Sequence, residues 1–171
     1  MTDLTEFSRP IDVLRLTRER QRHEIAASAE ECAALAQRFG LLSLDRLEAK
    51  VRLIPLAGGF YRLQASFVAG LVQACVVTLE PVPATIDEDF SLLYGPVDGE
   101  TDLVLDAETE TVEPLDGGMI DIAEAVAQQL SLALDPFPRT PEAVANSTVT
   151  AAGGPGLDTP FAALAKLRKG P

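Results

Sequence analysis

The chain has 171 residues, is 47% hydrophobic and carries a formal net charge of −12, enough apolar content for one sizeable core. Charge is segregated: residues 1–62 hold ten Lys/Arg against nine Asp/Glu, residues 63–138 hold fifteen acids and no base, and residues 139–171 hold four bases against two acids. The acidic middle repels a polyanion, so any nucleic-acid contact falls to the two ends, and no apolar run approaches the roughly 20 residues of a membrane span.

Pro10 to Thr17 reads as a first strand, with Ile11 and Val13 on one side. Arg18, Arg20 and Arg22 follow. In extended backbone they share one face as a small cationic stripe, whereas in a solvated loop they share nothing. His23 beside them is expected at the surface. Ser28 and Glu31 have the spacing of a capping box, Cys32, Leu35, Ala36 and Phe39 make one apolar stripe, and Gly40 can end the turn. That combination predicts a helix over 29–39.

Leu47 to Ile54 alternates apolar and polar, as does Tyr61 to Ala69, and Gly58-Gly59 lies between them, which predicts a hairpin. Its polar face collects Lys50, Arg52 and Arg62. The stretch from Leu71 to Tyr94 reads as two further strands, one up to Leu79 and one from Val82, separated where Pro81 and Pro83 cannot donate to a ladder. With the segment before them they form a three-stranded antiparallel meander. In the second strand Ala84, Ile86, Phe90 and Leu92 share a face with Glu88 out of place, while Thr85, Asp87, Asp89 and Ser91 share the other.

Gly95 to Asp116 is acidic and turn-rich, with short strands expected at Leu103–Leu105 and Thr109–Val112. Asp121 and Glu124 then open a helix that runs to Leu134 and stops at Asp135-Pro136. Thr159-Pro160 sets up a C-terminal amphipathic helix striped by Phe161, Leu164 and Leu167, with Lys166, Arg168 and Lys169 at its end. The expected fold is α+β: a twisted antiparallel sheet of about five to seven strands, open or partly closed, with helices at 29–39 and 121–134 packed on it. Residues 1–135 are expected to form one domain, 136–157 a flexible linker and 158–171 the terminal helix.

Nothing in the chain reads as catalytic machinery. The Gly-Gly pairs lack the spacing and Lys of a phosphate loop, and His23 has no Cys or Ser partner in a nucleophile motif. Asp87, Glu88 and Asp89 invite a metal, but strand alternation turns Glu88 away from the other two, so solvated carboxylates are expected. Cys32 and Cys75 sit in apolar surroundings and are expected as buried free thiols, which suits a reducing cytoplasm. The opening residues have no apolar centre of signal-peptide type, consistent with cytoplasmic location.

Several stretches together resemble one family. They are Cys75-Val76-Val77-Thr78-Leu79-Glu80-Pro81-Val82, the acids leading into Phe90-Ser91-Leu92-Leu93, Glu113-Pro114-Leu115-Asp116, Ile120-Asp121-Ile122 onward to Leu134, and Asp158 to Leu167. Over nearly the whole chain the pattern is similar to the YceD family of large-subunit ribosomal RNA accumulation proteins. The resemblance implies a non-catalytic role in the synthesis, processing or accumulation of 23S ribosomal RNA, with that RNA, a pre-ribosomal particle or a ribosomal protein as partner. Many members carry Cys-x-x-Cys at the first stretch and a second pair before the terminal helix, a set suited to tetrahedral zinc. Here Cys75 matches the first cysteine and Thr78 replaces the second, so no metal or other cofactor is expected, and apolar packing is left to clamp that corner.

The expected RNA contacts are then Arg18, Arg20, Arg22, Lys50, Arg52 and Arg62. An alternative is a protein-binding module in which Asp87 and Asp89 hold a basic partner such as a ribosomal protein. A hydrolase built on the acids would require metal-dependent activity lost on Asp87→Asn.

Overall fold

The structure, a computed structural model, describes residues 6–15, 21–96 and 112–146. Its centre is a meander of three long antiparallel strands, β3 (Ser43–Pro55), β4 (Tyr61–Ala74) and β5 (Pro81–Gly95). A strand of six residues, β2 (Gln21–Ala26), pairs antiparallel with β3 on one side. A short strand, β6 (Val112–Pro114), runs parallel to the end of β5 on the other. The sheet order is therefore β2-β3-β4-β5-β6, mostly antiparallel and not closed into a barrel. A second sheet of two strands joins β1 (Pro10–Asp12) to β7 (Met119–Asp121).

One face of the large sheet is buried. Leu47, Ala49, Val51 and Leu53 of β3 and Leu63, Ala65, Phe67, Ala69 and Leu71 of β4 all point into the core. Two helices close that face: α1 (Ala29–Phe39), through Cys32, Leu35 and Ala36, and α2 (Ile122–Ala133), through Val126 and Leu130. Each begins where a side chain satisfies orphan amides. Ser28 accepts from Glu31 N while the Glu31 carboxylate accepts from Ser28 N, and Asp121 accepts from the amides of Ala123 and Glu124. Gly40 ends α1 in the left-handed region, at φ +67°. Arg38 of α1 pairs with Glu124 of α2 at 2.7 Å, and Arg9 pairs with Glu31 at 2.8 Å. The Arg9 hydrogen bond holds the Glu31 carboxyl below its ordinary range.

The structure differs from the sequence reading at several points. Tyr61–Ala69 and Leu71–Leu79 are not two strands: Gly70 stays in the ladder opposite Thr85, so β4 runs unbroken to Ala74. The apolar residues Val76, Val77 and Leu79 are exposed in the turn that closes the β4–β5 hairpin, with Leu79 at φ +62°. Pro81 and Pro83 lie inside β5, opposite Ala74 and Val72, because their missing donors fall on its outer edge. Val13–Arg15 is a helical turn and not strand, whereas residues 21–26 form β2. His23 accordingly sits half-buried on the inner face of β2 opposite Val51, with Nε2 lacking a partner among the described residues, and is not a surface group. Within the stretch expected as linker, a short helix α3 (Pro141–Asn146) buries Ala143. The strand expected at 103–105, the one expected at 109–112 (apart from Val112, which opens β6), Arg18, Arg20 and the terminal helix lie outside the described residues.

Candidate interaction face

Because α1 and α2 both cover the inner face, the outer face of the sheet is left for other work. Alternation along each strand decides what it displays, and register decides what stands beside what. Three cross-strand rows follow from the pairing: Arg22–Arg52–Gln64–Ser91, then Glu24–Lys50–Ser66–Asp89, then Ala26–Glu48–Val68–Asp87. Arg22 and Arg52 are direct neighbours on adjacent strands. Directly opposed like charges work against the sheet by a few tenths of a kcal/mol or more, on the order of a cross-strand pair. Neither is relieved by an ion pair or hydrogen bond among the described residues. By contrast Arg9, Arg15 and Arg38 are each tied to a carboxylate. Among the described residues, Arg22 and Arg52 thus differ from the cations that are tied to a carboxylate.

The face carries two shallow hollows. One, of about 550 Å³, is lined by Lys50, Arg52, Gln64, Ser66, Asp89 and Ser91. The other, of about 420 Å³, lies toward Glu24, Glu48, Val68 and Asp87. The structure therefore brings Arg22, Lys50 and Arg52 together on β2 and β3. Arg62 lies at the end of the same face, half-buried between Ile54 and Leu93. Asp87 and Asp89 lie on it too, about 10 Å and two strands away from β3. Two residues of the face were missed from sequence: Glu24, which with Glu48 of the polar alternation breaks the cationic stripe into a mixed pattern, and Arg46, one row beyond Glu48 opposite Gly70.

At the end of the hairpin, backbone hydrogen bonds hold the Cys75 turn. Val76 N donates to Pro138 O at 2.9 Å, Cys75 N to Glu80 O at 2.8 Å, and Leu79 N to Cys75 O at 2.9 Å. Cys75 is fully buried, and its thiol is pulled down to about 6 by hydrogen bonds from Thr78, with further help from the Thr140 and Val77 amides, against the opposing cost of burial. Thr78 Oγ1 is itself engaged with Glu80 at 2.9 Å. Zinc does not fit this corner. A single thiolate stands where four ligands are needed, and no cluster of three metal-binding side chains occurs among the described residues.

A family model described as large ribosomal RNA subunit accumulation protein YceD matches residues 63–168. The match takes in β4, β5, β6, β7 and both α2 and α3, and begins after β2 and β3, a narrower span than the sequence resemblance implied. No curated protein and no solved structure matches the chain.

Proposed function

The chain belongs to the YceD family of large ribosomal RNA subunit accumulation proteins, and on that footing we propose that it is a non-catalytic factor that binds 23S ribosomal RNA or a particle containing it. The family's description ties it to accumulation of large-subunit ribosomal RNA. The observation that carries the contact is the outward pair Arg22 and Arg52, cations set like against like where the sheet gains nothing from them and a phosphate chain gains a site, with Lys50 beside them opposite Glu24. Arg62 extends that site with a half-buried guanidinium. Arg18 and Arg20 precede β2 in sequence and are proposed as additional contacts.

A second reading concerns protein. Asp87, Glu88 and Asp89 are consecutive, exposed and without an ion pair among the described residues. Such a cluster holds a basic partner such as a ribosomal protein, and both readings fit in one molecule.

In cells lacking the gene, the ratio of large- to small-subunit ribosomal RNA is expected to fall. The wild-type chain should restore it, and a chain carrying Arg22→Gln, Lys50→Gln and Arg52→Gln should not. An unchanged ratio on deletion would remove the role altogether.

A further inference from the structure

The acidic end of the open face is also a sheet edge. β5 is paired with β4 from Pro81 to Tyr94, but on its other side β6 reaches only Leu93 to Gly95. Peptide groups alternate sides along a strand, and three observations fix which ones face outward. Glu80 O accepts from Cys75 N on the β4 side, so even-numbered residues face β4. Gly95 O accepts from Leu115 N on the far side. Pro81 and Pro83, which have no N–H to give, are odd-numbered as well. Thr85, Asp87, Asp89 and Ser91 therefore turn both N–H and C=O to an edge with no strand against it among the described residues. Beside that edge, Leu132 of α2 is 77% exposed. It lines a hollow of about 230 Å³ together with Phe67, Glu88, Phe90 and Gln129.

We propose that β5, from Thr85 to Ser91, accepts an extended basic segment of a partner protein as an added strand. The inference rests on the protein-binding reading above and supplies its mode. Backbone pairing provides the grip, and alternate side chains provide the choice of partner. Lys or Arg residues of the guest meet Asp87 and Asp89 on the open face and Glu88 on the other, while an apolar residue packs against Leu132. The same carboxylates work against three other occupants. A second copy of the edge would oppose acids with acids, the usual protection against edge-to-edge association. RNA would be repelled. Residues 97–111 of the chain itself carry six carboxylates and no base, and meet the same repulsion.

The test uses the full chain and two fluorescent peptides of equal charge, one alternating arginine and valine, the other arginine and alanine in helix-forming order. Affinity is read by anisotropy, and amide exchange by nuclear magnetic resonance. In the free protein the amides of Ile86, Glu88 and Phe90 should exchange slowly and those of Thr85, Asp87, Asp89 and Ser91 quickly. The alternating peptide should slow the second set by about tenfold or more, the equivalent of one modest net hydrogen bond each. Asp87→Lys with Asp89→Lys should weaken it by about tenfold. Equal binding of both peptides without alternating protection would overturn strand addition and leave charge capture standing. Failure of both peptides to bind would overturn the two together. Slow exchange of the odd-numbered amides in the free protein would show the edge already filled by another part of the chain, and would also overturn the proposal.

Discussion

The two halves of the open face are built from the same materials and do opposite things with them. On β2 and β3 the outward positions carry Arg22, Arg52 and Lys50, two of them opposed like to like. On β5 they carry Asp87 and Asp89, with Glu88 turned to the other face, along an edge that has no strand against it from Thr85 to Ser91 among the described residues. Both halves share one inner face, where Leu47, Val51, Leu63 and Phe67 meet the helices, and that face alone sets the register. The outer charges are therefore not needed for folding. A pattern the fold does not require, and in the case of Arg22 and Arg52 works against, is what supports the proposed contacts. The family match divides the halves as well: β5 lies inside residues 63–168 and β2 and β3 lie before them.

Breaking what the halves share has the largest effect. Phe67 is 1% exposed and meets the Phe90 ring edge-on at 6.1 Å. Phe67→Ala should cost about 3–5 kcal/mol in urea unfolding, a large part of a typical domain's stability. Substituting Arg22, Lys50 and Arg52 together by Gln should instead leave stability within about 0.5 kcal/mol per site. That triple variant separates the halves functionally. Its affinity for single-stranded ribosomal RNA should become less salt-dependent, the logarithmic slope falling by about two units for three lost phosphate contacts. Asp87→Lys with Asp89→Lys should leave that slope undiminished. Asp121→Ala sharpens the contrast from within the scaffold: its carboxylate serves the amides of Ala123, Glu124 and Arg9, and its loss should cost about 1–2 kcal/mol with RNA affinity per folded molecule unchanged.

A pH-dependent effect is expected at Cys75. Its folded thiol titrates at about 6, below the ordinary value, so its contribution is fully present above the unfolded pKa and lost as pH falls through about 6. The stability gap between wild type and Cys75→Ala should widen as pH rises from below 6 toward 9, in urea midpoints measured across that window. A gap independent of pH would show the thiol to be neutral throughout.

Much of the scaffold was legible in the sequence because its signals are local. Ser28, Glu31 and Gly40 fix both ends of α1, and the alternation from Leu47 and from Tyr61 yields the hairpin. What was not legible depends on pairing at a distance. Val76, Val77 and Leu79 have strand-like side chains, yet β4 and β5 meet in a register that makes them the turn. Gln21 to Ala26 has almost no apolar alternation, since an edge strand half covered by the core needs little, so β2 went unread. The candidate site divides the same way. The outward direction of Lys50 and Arg52 follows from alternation alone. That Arg22 stands opposite Arg52, or that Glu24 and Glu48 interrupt the stripe, requires knowing which residue lies beside which.

The most direct test of RNA contact through the cationic half is ultraviolet crosslinking in cells, comparing the wild-type chain with the Arg22→Gln, Lys50→Gln, Arg52→Gln variant at equal abundance. Large-subunit ribosomal RNA should be recovered with the wild type and largely lost with the variant. Equal recovery from both, or recovery of unrelated RNA only, would contradict the account.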